Sequence, residues 1–289
     1  MYVGVTDHKN TLGMICMVLA IGFLWRFLLA YRDHESPQRA RRLMVYGTLI
    51  GMAVWLFMQA NSMTGQACFL LGAIFLLATS LGFVIRKRWL IQLMTFVLVA
   101  VPVATLLLGV GGGALEEMGK DATLTGRTEI WRLVLNMAGS PMFGTGFESF
   151  WLGNRADRMW TLYYFHPTQA HNGYIEVFLE LGWIGVILLA AILLAGYRNA
   201  VAMLRWNPDA ARIRMAFIAV ALVYNVTEAG FRMMTLTWFF LLLSAFVIPE
   251  TALETASSTE PADASRDLAD WQRQDHPVPS FARRRREAI

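Results

Sequence analysis

Between two long apolar runs, from Gly126 to Tyr174, the chain gathers side chains that carry charge or titrate: Arg127, Arg132, Arg155, Arg158, Glu129, Glu148, Asp157, His166 and His171, with Trp131, Trp151, Trp160, Tyr163 and Tyr164 among them. A planar, permanently charged guanidinium such as Arg127 suits a diphosphate, and equally a lipid headgroup or the carbonyls of a helix end. His171 and Asn172 precede an apolar run whose helix is expected to start near Gly173. A helix N-terminus favours the uncharged imidazole, which accepts a proton from a hydroxyl. The competing reading is an interfacial histidine bonded to a backbone carbonyl. Glu176 and Glu180 fall on one face, one and two turns into that run, and a carboxylate at depth faces a cavity or a partner. Glu228 and Arg232, four positions apart between the last two runs, fit an ordinary ion pair or a second wall of the same site.

The elements that must position these groups are membrane helices. Hydrophobic residues are 56% of the 289 and charged ones 16%, against roughly 25% charged in soluble domains. Seven apolar runs read as spans, 11–31, 43–60, 66–85, 89–109, 173–196, 212–226 and 233–249. The sixth is the weakest, because it is short and opens with Arg212 and Arg214. The expected fold is therefore an all-α polytopic membrane protein, residues 1–250, with one large outer loop at 110–172. Residues 251–289, rich in Ala, Ser, Asp and Arg, read as a disordered cytoplasmic tail.

The net charge of +4 belongs to helix ends rather than to a nucleic-acid footprint. Arg32, Arg39, Arg41 and Arg42 follow the first run, Arg86 to Arg88 the third, Arg198 and Arg205 the fifth, and Arg283 to Arg286 close the chain. The positive-inside rule puts these connections in the cytoplasm. The Asn61–Gly65 turn, the 110–172 loop and the Asn225–Arg232 turn then face outward. Met1 to Asn10 contains no signal peptide, and an outward N-terminus without one leads us to expect further helices upstream. Cys16 and Cys68 both fall inside spans, which leaves no disulfide framework and no metal spacing. The sequon Asn225-Val226-Thr227 lies too near the bilayer to accept a glycan.

Within the loop, Thr125-Gly126-Arg127-Thr128 reads as a turn with Thr128 as helix N-cap. Ile130, Val134 and Met137 then share one face, as in an amphipathic helix lying at the membrane interface with Trp131 at headgroup depth. Gly139-Ser140-Pro141 ends it, and Phe143-Gly144-Thr145-Gly146-Phe147 forms a glycine-punctuated turn. The loop aromatics suit interfacial anchoring and sugar stacking alike.

The runs Leu124-Thr125-Gly126-Arg127-Thr128-Glu129-Ile130-Trp131, Ser140-Pro141-Met142-Phe143-Gly144-Thr145-Gly146-Phe147 and Ala170-His171-Asn172-Gly173-Tyr174-Ile175-Glu176 closely resemble the O-antigen ligase and polymerase superfamily, nearest its exopolysaccharide polymerase type. His8-Lys9-Asn10-Thr11-Leu12-Gly13 is similar to a segment that members carry mid-chain, and Glu228 resembles the acidic residue of their last outer turn. The resemblance implies glycan transfer from an undecaprenyl-diphosphate carrier to an acceptor glycan or lipid A core, on the outer side of a bacterial inner membrane, with no metal and no cofactor. It implies catalytic roles for His171, on the acceptor hydroxyl, and Arg127, on the diphosphate. Substrate-binding roles follow for Asn172, Trp131, Arg132, Glu176, Glu228, Arg232 and Lys9. The partners it implies are the lipid-linked glycan, the bilayer and a chain-length regulator. Two departures stand out. Ser62-Met63 replaces a Ser-Arg or Ser-Lys pair, so Lys9 or Arg232 must supply the cation, and the Lys-Asn segment stands at the start of this chain.

A polysaccharide transporter or flippase component without catalysis is the rival function. It predicts broken helices and ionisable groups at mid-membrane, whereas these runs are nearly free of charge at their centres.

Overall fold

In hydrocarbon a backbone can satisfy its polar groups only internally, so each apolar run folds as a helix. The computed structural model describes residues 6, 8–85, 87–108 and 123–246. The expected tail at 251–289 and the 110–122 part of the loop lie outside the described residues. The elements are α1 (Lys9–Arg32), α2 (Arg39–Ala60), α3 (Met63–Thr79), α4 (Gly82–Ile85), α5 (Arg88–Leu108), α6 (Thr123–Asn136), α7 (Asn154–Leu162), α8 (Gly173–Met203), α9 (Pro208–Thr227) and α10 (Leu236–Ala245). Among the described residues there is no strand, and the protein is an all-α, multi-pass membrane protein. Four helices, α1, α2, α8 and α9, are long and apolar enough to cross a bilayer, and α3, α5 and α10 contain shorter apolar stretches. Six of the seven apolar runs each fall on one helix, and the run 66–85 is divided between α3 and α4.

Three boundaries differ from the sequence expectation. The run 66–85 is two helices, because α3 ends at Thr79 and α4 is a separate turn. Arginines from distant elements take the carbonyls that α3 leaves unpaired: Arg212 Nη1 donates to Thr79 O at 2.9 Å and Arg32 Nη2 to Ser80 O at 2.7 Å. Asp209 pairs with both guanidiniums. That network also explains why Arg212 can be buried in α9. The last run begins as helix only at Leu236, after Thr235 has capped it.

The third difference is the largest. The run 173–196 continues to Met203 but is broken at Gly182, whose φ of 62° and ψ of −159° are non-helical. The stretch 183–203, at ~1.5 Å per residue, is about 31 Å long and spans a hydrocarbon layer alone. The 140–147 turn supplies backbone partners to the break. Thr145 N donates to Leu179 O (3.0 Å), Gly146 N to Glu180 O (2.8 Å), and Trp183 N to Pro141 O (2.9 Å). The approach is close enough that a Cβ on Gly182 would run into the Met142 carbonyl group, and one on Gly144 into that of Glu180.

Packing centres on α9, which is buried over most of its length and touches α3, α5, α8 and α10. Beside the first turns of α8 the loop builds a small core of its own, with Ile130, Val134, Phe150, Met159, Ala170 and Leu179 buried together. The apolar face of α6 therefore rests on protein rather than on lipid, a correction to the interfacial helix expected there.

Candidate active site

Four separate chain segments meet at the loop end of the bundle. The start of α1 is fixed by His8, whose side chain accepts from Asn10 N. Three residues further on, Gly13 leaves no room for a Cβ against Ser62, and Gly65 would place its own Cβ 2.9 Å from Gly13 O. This contact holds α1 against the 61–65 turn and carries Asn10 inward. The start of α8 is fixed by Asn172, which accepts from Tyr174 N (3.0 Å) and Ile175 N (3.1 Å) and donates to Val226 O (3.1 Å). The end of α9 is fixed by buried Asn225, which donates to Ala221 O (2.8 Å) and accepts from Gly230 N (2.7 Å).

Glu228 is where they converge. Its carboxylate is 3% exposed. Asn10 Nδ2 donates to Oε1 at 2.8 Å, Arg127 Nη2 donates to Oε1 at 3.2 Å, and His171 Nδ1 lies 3.2 Å from Oε2. Burial pushes this carboxyl upward, but the His171 hydrogen bond and the Arg127 charge outweigh it and hold it below the ordinary value. Arg127 Nη1 also donates to Thr227 O, capping the end of α9. The two readings of Arg127 left open by the sequence are thus partly joined: it caps a carbonyl and pairs with the carboxylate beside His171. A carboxylate only accepts, so in the neutral ring of His171 it is Nδ1 that carries the hydrogen, leaving the Nε2 lone pair for a substrate proton. His171 itself sits at φ 51°, a left-handed turn that sets the ring at the mouth of α8 rather than within it.

The remaining site candidates are distributed around this cluster. Trp131 is half-buried and donates from Nε1 to Ala170 O at 2.7 Å, directly before His171. Glu176 is buried and accepts from Trp151 Nε1 (3.0 Å) and from Ala170 N, so it ties the loop core to α8. Arg132 is exposed on the face of α6 opposite Ile130 and Val134. Lys9 is half-buried in the first turn of α1.

Two local expectations are corrected. Arg232 pairs with Glu148 at 3.6 Å, not with Glu228. The four-residue spacing makes a pair only on a helix, and residues 228–235 form a turn. Thr128 lies inside α6, which begins at Thr123, so the Thr-Gly-Arg-Thr segment is helical and Thr128 is not its N-cap. The loop tryptophans Trp131, Trp151 and Trp160 each spend the indole N–H inside the protein, Trp131 and Trp160 on loop carbonyls (Trp160 on Pro167 O at 3.2 Å) and Trp151 on Glu176 of α8.

Asn10 is the partner that reasoning on titratable groups passes over, since an amide neither titrates nor carries charge. The motif containing it was visible, but its contact with Glu228 lies 218 positions away. Beside the cluster opens a cleft of about 320 Å³, walled by the start of α1 and the 228–235 turn, with Asn10, Glu148, Gln169, Glu228 and Arg232 on its surface. Among the described residues, no group of three or more His, Cys, Asp or Glu is arranged to hold a metal ion.

A helical membrane bundle that gathers Arg127 and His171 around one buried carboxylate at one end, beside a packed loop, defines a class of integral membrane proteins with a polar site at one end of the bundle. Residues 60–190 match the family model described as O-antigen ligase. The chain is also similar to the exopolysaccharide production protein ExoQ of Rhizobium meliloti (strain 1021), at 37% identity over 89 residues. That match covers 29% of this chain and 20% of the relative, so the chain spans about a fifth of the curated protein it matches. No solved structure matches the chain significantly. The segment carrying the loop motifs and His171 is thus similar to the O-antigen ligase family and to a curated exopolysaccharide production protein.

Proposed function

We propose that this chain carries the catalytic end of a membrane glycosyltransferase, which moves a glycan from an undecaprenyl-diphosphate carrier to a sugar hydroxyl in exopolysaccharide or O-antigen polymerisation or ligation. The observation that carries the reading is the Arg127–Glu228–His171 cluster, in which one buried carboxylate joins a proton acceptor to a permanent cation. A sugar hydroxyl is a poor nucleophile, and a positioned base typically contributes about 10²–10⁴ in rate. His171 Nε2 takes the hydroxyl proton while the acceptor oxygen bonds to the anomeric carbon. The bond from that carbon to the phosphate oxygen breaks, and the electron pair leaves with the diphosphate. Arg127 has five N–H donors, and those beyond Thr227 and Glu228 meet the charge that develops on the leaving group. Glu228 keeps the Nδ1–H tautomer and balances the imidazolium as it forms, the part an acidic partner plays beside a catalytic histidine. In this reading the reaction needs no metal, and the site faces the periplasm from the inner membrane, in keeping with the basic connections on the opposite side.

The test is polymer formation in membranes supplied with lipid-linked repeat units. His171→Ala and Arg127→Lys should abolish it at normal protein abundance, and near-normal polymer from His171→Ala would end the proposal.

The transporter reading gains one observation, the break of α8 at Gly182 beside buried Glu180. Broken transporter helices direct their free backbone groups at substrate. Here the 140–147 turn occupies those groups, which favours an architectural role for the break. Lipid-linked glycan crossing sealed vesicles without elongation would decide for transport.

A further inference from the structure

The cleft beside Glu228 has a lining that discriminates among ligands. Two carboxylates, Glu148 and Glu228, face it, and Arg232, which also lines it, is already paired with Glu148 at 3.6 Å. An anionic diphosphate placed there would meet both carboxylates, and the guanidinium on the wall is already compensated. Hydroxyl groups meet the same surface differently, since carboxylates accept from O–H while guanidinium and the amides of Asn10 and Gln169 donate. Met234, 90% exposed at the rim, adds a polarisable apolar contact for the C–H face of a ring. The cleft volume of about 320 Å³ is that of a small ligand cleft, room for a pyranose with its hydroxyls. Arg127 and His171 are not part of the cleft wall. They reach Glu228 through their own hydrogen bonds, so the site has a sugar side and a cation side with Glu228 between them.

We infer that this cleft is the acceptor subsite, which holds an uncharged terminal sugar of the acceptor glycan and delivers one of its hydroxyls past the Glu228 edge to His171, while the diphosphate of the donor lies on the Arg127 side. The inference rests on the transfer reading above and adds to it the separation of the two substrates and the residues that select the acceptor.

The experiment uses the full chain in membranes of its host, with carrier-free oligosaccharide repeats released from the host's own exopolysaccharide as acceptor. Gln169→Ala and Glu148→Gln should raise the KM for that oligosaccharide about tenfold, the equivalent of one or two lost hydrogen bonds, with donor KM and kcat nearly unchanged. A rise in donor KM alone, or no change in either, overturns the assignment. A second readout needs no turnover. In Met234→Cys, labelling of the new thiol by an impermeant maleimide should slow several-fold with the oligosaccharide and not with undecaprenyl diphosphate. Protection with no transfer in the wild type would retain the sugar site and remove the transfer reading. Transfer without protection would do the reverse.

Discussion

Asn10 and Glu228 stand 218 positions apart and share a 2.8 Å hydrogen bond from Nδ2 to Oε1. The bond ties the first helix to the turn after the ninth, and the carboxylate it anchors is the one that meets Arg127 and His171. The order of the site therefore depends on a neutral side chain that touches neither of them. Asn10→Ala should lower transfer and loosen the turn, at about 1.5–3 kcal/mol for a hydrogen bond to a charged group. Asn10→Asp should be worse, because it sets a second carboxylate against Glu228. Thermal unfolding in detergent separates the two, and equal melting temperatures would count against this account.

His171 and His166 should behave differently. His166 stacks on Trp160 with ring centroids 5.3 Å apart, away from Glu228, so His166→Ala should retain most activity. His171→Ala should lose the two to four orders of magnitude typical of a positioned base. Activity is expected to survive a strong chelator, and its loss on chelation would require a different mechanism.

Glu228 sets an acid limit. Its carboxyl is held below the ordinary value of 4.5 in the folded protein. Its contribution to stability is thus complete above 4.5 and drains away as pH falls through the lower, folded-state value. Melting temperature should fall with acid below about pH 4.5 in the wild type, and Glu228→Gln should lack that step. Glu228→Gln should also cost transfer heavily at neutral pH, since an amide can meet His171 with the wrong hydrogen. An identical acid profile for the two proteins would place the titration elsewhere.

Orientation is checked by thiol labelling. With Cys16 and Cys68 buried, Thr168→Cys should react with an impermeant reagent in intact spheroplasts and Ser36→Cys should not. The inverse pattern would turn the site toward the cytoplasm.

Much of this was legible in sequence because the loop motifs sit where the chemistry is. Arg127, His171 and Glu228 stand out by charge and titration, the family resemblance implies their roles, and they touch through one carboxylate. What stayed hidden was relational. The pair read between Glu228 and Arg232 in the last outer turn does not form, and Arg232 instead meets Glu148, far earlier in the chain. The turn read at Thr125–Thr128 is helix, because packing of Ile130 and Val134 on the loop core stabilises α6 despite Gly126. The break of α8 was invisible because a glycine within an apolar run has no local signature. It follows from the approach of the Met142 carbonyl.

Gly144 and Gly182 each leave free the space that the other segment's backbone occupies, and Thr145 N and Gly146 N of the turn find their acceptors in α8 just before its break. Each feature supports the other: docking gives the turn's amides protein acceptors, and the break opens the helix backbone that receives them. The two must be acquired in one cooperative event, the kind of contiguous unit that opens and closes as a whole. Gly182→Ala, with its left-handed φ and no space for a methyl group, should therefore unlatch residues 140–147 as well as straighten α8. Hydrogen exchange would register it as simultaneous loss of protection at Thr145, Gly146 and Trp183.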